Sequence, residues 1–117
     1  MRLNEISYND ALPIDGYGTG FFRVGGKKCE GSIVVLPTGV TAWGGFADTD
    51  TLLAAVKDID VLFVGTGAEI AHPPKDFRII LEDAGIGVET MASPAACRTY
   101  NVLLSEGRRV AVALLPV

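Results

Sequence analysis

The chain has 117 residues, 49% of them apolar and 21% charged, with a formal net charge of −4 at pH 7. This is the mix of a globular protein able to bury a core without disulfide staples. The acidity argues against a nucleic-acid partner, because phosphate binding leans on clustered Lys and Arg and no basic stripe is present. The two cysteines and one histidine fall short of a four-ligand zinc site and of a three-imidazole one, so no metal and no cofactor is expected.

In chain order, MRLNEISYND lacks both the apolar core of a secretory signal and the Arg- and Ser-rich character of a transit peptide. No apolar run approaches the roughly 20 residues that span a bilayer. A cytoplasmic protein with no membrane insertion is expected, forming one domain over 1–117. The apolar runs Phe21–Val24 and Ile33–Leu36 read as strands. Gly25–Gly26 before Lys27 suits a tight hairpin, and Pro37–Thr38–Gly39 leads into a strand over Val40–Trp43. The rhythm then changes. Asp48 is placed to cap a helix over Thr49–Lys57, with Leu52, Leu53 and Val56 on one face. Val61–Val64 is a short, wholly apolar run of the kind found in strands covered on both faces. Pro74–Ala84 reads as a helix stopped by Gly85, and Ile86–Met91 as a strand. Ser93–Glu106 reads as a helix and Arg109–Leu115 as a final strand. The order β-α-β-α-β with short connections points to an α/β sheet layered by helices.

Two stretches carry candidate site residues. In SPAACRTYN, Ser93 is placed as N-cap and Pro94 as first helical residue, so Cys97 lies one turn in with Arg98 next to it. A helix start lowers a thiol's pKa, and a guanidinium binds anions. At about 100° per residue, however, Cys97 falls at the edge of the packing arc formed by Ala96, Tyr100, Leu103 and Leu104, while Arg98 turns to the polar side. Cys97 is therefore expected to pack and Arg98 to remain available. The second stretch is VGTGAEIAHPPKD. Gly65 and Gly67 permit close backbone approach and Thr66 offers a hydroxyl. The pattern lacks the third glycine of a dinucleotide loop and the Gly-Lys-Ser/Thr ending of a phosphate loop. If Val61–Val64 and Ile86–Met91 are parallel neighbours, both following loops emerge at one sheet edge, where open α/β sheets bind ligands. Gly65, Thr66, Gly67, His72, Ser93, Cys97 and Arg98 are then the candidate lining of one cleft able to take a small anion.

The ordered set GYGTGFFRVGG, GSIVVLPTGVTAW, VLFVGTG, GIGVETM and ACRTYNVLLSEGRRVAVALLP resembles a family of small proteins of largely uncharacterised function built on an Mth-type domain. That family includes the mitochondrial complex I (NADH:ubiquinone oxidoreductase) assembly factor three and the adipogenesis-associated domain protein. The resemblance implies a three-layer α/β fold, with helices and an N-terminal β-hairpin packed on a mixed central sheet whose last strand runs against the others. It brings no catalytic residues. Phe21 stands where the family usually has glycine, so a close backbone approach of the kind glycine permits is not expected there. The resemblance favours a non-catalytic interaction or assembly factor with protein partners, respiratory-complex subunits among them. Tyr17, Trp43 and Arg98 are candidate anchors. The alternative is a binder of small molecules or anions, or an enzyme, using the cleft between Gly65–Gly67 and Ser93–Arg98. A self-associating structural subunit is a third reading, drawn from the strand-rich first half.

Overall fold

A computed structural model describes residues 12–117. The reading of MRLNEISYND as neither signal nor transit peptide lies outside the described residues. Among the described residues eight strands and three α-helices follow in order, with a single 3-10 turn over Gly45–Ala47 before α1: β1 (Ile14–Gly18), β2 (Phe21–Val24), β3 (Lys27–Glu30), β4 (Ile33–Leu36), β5 (Gly39–Ala42), α1 (Asp50–Leu53), β6 (Val61–Thr66), α2 (Lys75–Asp83), β7 (Gly87–Met91), α3 (Ser93–Ser105) and β8 (Val110–Leu115). They form a three-stranded antiparallel sheet, β1-β2-β3, and a five-stranded mixed sheet in the order β5-β4-β8-β6-β7.

The expected hairpin at Gly25–Gly26 joins β2 to β3, with Val24 opposite Lys27. Both glycines have positive φ (56° and 84°), the requirement of the two-residue turn that matches strand twist. The small sheet has a third strand, β1, that hydropathy does not announce. Its sequence, IDGYG, breaks apolar alternation with two glycines, and its register slips between Ile14 and Gly16. The second hairpin, β4–β5, extends the main sheet instead.

In that sheet β6 lies parallel to both β7 and β8, while β4 is antiparallel to β8. The last strand therefore runs with β6, contrary to the expectation drawn from the resemblance, and β4 is the strand that opposes it. The reason is connectivity. β7 reaches β8 through α3, a crossover that returns the chain in the same direction, whereas β4 enters from a hairpin.

Each face of the main sheet has its own core. On one face α3 and the small sheet cover Ile33, Val35, Phe63, Val112 and Leu114 with Phe22, Val24, Ala96 and Tyr100. On the other, α1 and α2 bring Leu52, Phe77 and Leu81 onto Val34, Leu62, Val64 and Ala113. The helix expected over Thr49–Lys57 is shorter. After Leu53 the chain tightens into successive i→i+3 bonds (Ala55 N–H to Leu52 O, Val56 N–H to Leu53 O) and still buries Leu52, Ala55 and Ile59. The Asp48 carboxylate accepts the Thr51 N–H (3.2 Å) and the Gly44 N–H (3.0 Å). These bonds, the Gly44 one foremost, hold its pKa below the ordinary value. Trp43, read as an exposed anchor, is instead buried between Phe46 and Phe77, with its indole N–H donated to Asp48 O.

Candidate functional site

The parallel pairing of β6 and β7 brings the loops after both strands to one edge of the sheet, and there the β6 exit meets the start of α3. Ser93 is not the N-cap. Ala92 takes that position with extended backbone (φ −60°, ψ 149°), and Ser93 is the first helical residue, fully buried. Its hydroxyl is committed across elements: it donates to Leu115 O (2.6 Å) on β8 and accepts the Gly67 N–H (2.9 Å) beyond β6. The Ser93 N–H donates in turn to Gly67 O (2.7 Å). One residue thus ties together the ends of β6, β8 and α3.

Gly65 explains how closely they approach. A Cβ at this position would lie 2.6 Å from Ser93 Oγ, 2.7 Å from Leu114 Cδ2 and 2.8 Å from Ser93 Cα. All three are far inside the 3.5–4.0 Å of ordinary contact. Between Gly65 and Ser93 the structure is a packed seam. Thr66 organises the loop that leaves it, donating its hydroxyl to Glu69 O (2.8 Å) and accepting the Ala71 N–H (2.9 Å). This loop presents Ile70, 66% exposed at its apex, and His72 is exposed beyond it.

Cys97 and Arg98 part company as the helical turn requires. Cys97 is buried in the core, and burial pushes its thiol up to about 11 although Arg98 pulls the other way. A neutral, enclosed thiol is a poor nucleophile at neutral pH. Arg98 is exposed, and with Thr99, Val102 and Leu103 it lines an open, mostly apolar cavity of about 260 Å³ on the outward side of α3. The structure therefore brings Gly65, Thr66, Gly67 and Ser93 together in the seam and sets Cys97 in the core. Arg98 stands on the outer face of α3 and His72 on the exposed loop. Among the described residues no three His, Cys, Asp or Glu side chains gather into a metal-binding group.

Tyr100 packs as its place on the helical arc predicts; its hydroxyl bond and the amide of Asn101, neither of which helical periodicity announces, clamp the small sheet to α3. Asn101 Oδ1 accepts the Ile14 N–H (2.9 Å) and Nδ2 donates to Ile14 O (2.8 Å), a two-bond imitation of a neighbouring strand. Tyr100 is fully buried and donates its hydroxyl to Leu12 O (2.9 Å). The available signal was an asparagine in mid-helix, a position that disfavours it unless its amide has work elsewhere.

Fold and site together define the class: a three-layer mixed α/β protein whose last helix clamps a small accessory sheet. The chain belongs to the family described as Protein of unknown function (DUF498/DUF598), whose model matches residues 14–115. An uncharacterised protein of Rhodobacter capsulatus is 46% identical over 117 residues, covering 100% of this chain and 94% of that one. Human NADH dehydrogenase (ubiquinone) 1 alpha subcomplex assembly factor 3 is 30% identical over 113 residues, 91% of this chain and 61% of the human protein. The chain thus spans less than two thirds of that longer relative. Among solved structures, a Bartonella henselae protein described as an outer membrane protein superposes with a TM-score of 0.86 at 37% identity, covering 94% of this chain and 98% of that one. A Bordetella pertussis protein described as an Mth938-like domain gives 0.74 at 31%, covering 90% and 85%. Among the described residues no helix is long and apolar enough to cross a membrane.

Proposed function

We propose that the chain is a cytoplasmic, single-domain interaction protein that acts in assembly rather than catalysis, with respiratory-complex subunits as its partners. The observation that carries this reading is the outward face of α3. Val102 is 55% exposed there, beside exposed Arg98 and the apolar cavity they share with Thr99 and Leu103. The opposite face of the same helix is held by Ala96, Cys97 and Tyr100 in the core. Arginine is enriched at binding hot spots, and here Arg98 stands beside exposed apolar surface on a helix anchored from behind. The name of the human relative supports the choice of partner. Affinity capture from a bacterial lysate at low salt tests it, with respiratory-complex subunits expected among the retained proteins. Fractionation of the same lysate is expected to leave the protein in the soluble fraction. Failure to retain any such subunit refutes the partner.

A second reading takes a small anion at the same end of the molecule and is supported by the exposure of Arg98 beside that cavity. Ordered anion density beside Arg98, in the hollow it lines with Thr99, Val102 and Leu103, is its test, and Arg98→Ala is expected to abolish it.

A further inference from the structure

We infer that the outward face of the β1-β2-β3 sheet, centred on Phe21, Arg23 and Lys28, docks an acidic segment of a protein partner. The inference rests on the interaction reading above and supplies the chemistry of the partner. Strand alternation turns Phe22 and Val24 into the core and leaves Phe21 and Arg23 facing outward. Arg23 lies directly opposite Lys28 and Phe21 directly opposite Glu30. On the other side, Gly16 is opposite Arg23 and Gly18 opposite Phe21. The glycines leave these two outward positions of β1 without side chains, but the Phe21 ring lies over Gly18, so the open part of the face is at Gly16. A Cβ on Gly16 would meet nothing within 4 Å, whereas one on Gly18 would run into the Phe21 ring. The Lys28 ammonium sits 4.7 Å from the centre of that ring.

Charge selects the occupant. The molecule carries −4 overall, yet here two cations are directly opposed across neighbouring strands, an arrangement that costs stability by itself. Among the described residues the ion pairs are Arg78–Glu82 and Arg109–Asp60, neither of them on this sheet. The nearby carboxylates are placed at the flanks. Asp15 accepts the Gly26 N–H (2.6 Å) at the turn, and Glu30 lies opposite Phe21 at the other end of the pairing. One carboxylate between Arg23 and Lys28 relieves their repulsion. The open surface over Gly16 leaves room for a carboxylate side chain to reach Arg23 and Lys28, and the half-buried Phe21 ring offers an apolar and aromatic contact.

The test is an amide-shift titration of the full chain with the synthetic peptide Glu-Glu-Phe-Glu-Glu, with Lys-Lys-Phe-Lys-Lys and phosphatidylserine vesicles as separate arms. The acidic peptide is expected to shift amides of the small sheet saturably, and its affinity to fall as salt rises from about 0.05 to about 0.3 M. Arg23→Glu with Lys28→Glu is expected to weaken binding by at least about tenfold, and the milder Arg23→Gln by a smaller factor. Both variants must show unchanged shifts in β6 and β8. The inference is overturned if the shifts centre on Arg98 or Arg108–Arg109, or if Arg23→Gln binds as well as wild type. It is equally overturned if the vesicles bind and the acidic peptide does not. Equal capture of respiratory subunits by wild type and the charge-reversed variant sinks this inference and leaves the interaction reading standing.

Discussion

Gly65→Ala is the sharpest perturbation of the seam between the GTG loop and α3. The new methyl lands 2.6–2.8 Å from Ser93 Oγ, Leu114 Cδ2 and Ser93 Cα, so neighbours on two elements must retreat by close to 1 Å to restore ordinary contact near 3.5 Å. None retreats easily. Leu114 is fully buried, and Ser93 is held by its bonds to Leu115 O and the Gly67 N–H. Overpacking of this kind costs about 1–3 kcal/mol. If Ser93 is displaced, the buried partners it leaves unpaired add about 1–3 kcal/mol more. A total of about 3 kcal/mol corresponds to a fall in melting temperature of about 10 °C for a protein of this size. Thermal and urea denaturation followed by circular dichroism measure it. Ser93→Ala in the Gly65→Ala background removes the Oγ clash and is expected to cost less than the sum of the single changes. A Gly65→Ala variant within about 0.5 kcal/mol of wild type refutes the packed seam and restores the open cleft between Gly65–Gly67 and Ser93.

Asn101→Leu removes both bonds to the Ile14 backbone and is expected to cost about 2–3 kcal/mol, with amide exchange accelerating first in β1. Hydrogen exchange read by mass spectrometry checks the locality. Stability is expected to decline above pH 9. The folded state holds the Cys97 proton up to about 11 against an ordinary value of 9.0, so the unfolded state loses it first and folding weakens as pH rises between the two. Burial of Tyr100 acts in the same direction. Cys97 contributes about 2–3 kcal/mol across that window, and Cys97→Ala flattens the slope in urea melts. Iodoacetamide is expected to label half-buried Cys29 before Cys97. Thr66→Val deprives Glu69 O and the Ala71 N–H of their partner. It is expected to cost about 1–2 kcal/mol and to raise proteolysis within the loop around Ile70.

Local signals served the sequence reading well. Phe77 and Leu81 mark the buried side of α2, with Gly85 just beyond its end, and α3 ends within a residue of its expected limit. The strands Phe21–Val24 and Ile33–Leu36 stand as read, because short apolar runs bounded by glycine have few other uses. What escaped was set by distant partners. β1 and β3, IDGYG and KKCE, have one face in solvent and owe their pairing to the turns around them rather than to hydrophobicity. Ser93 looks like a cap because serine before proline usually is one, and its hydroxyl is diverted only because β8 ends within reach. Trp43 looks available until the Asp48 turn folds Phe46 and Phe77 around it. Of the candidate site residues, the divergence of Cys97 and Arg98 followed from helical periodicity alone. The closure of the gap beside Gly65 depended on three elements meeting, which no local pattern encodes.

The central claim is that α3 presents a protein-binding face, and photocrosslinking from that face tests it most directly. A benzophenone amino acid in place of Val102, in the full chain expressed in cells, is expected to capture a respiratory-complex subunit. The same probe in place of the equally exposed Ile79 on α2 is expected not to. Capture from neither position, or equal capture from both, contradicts the claim.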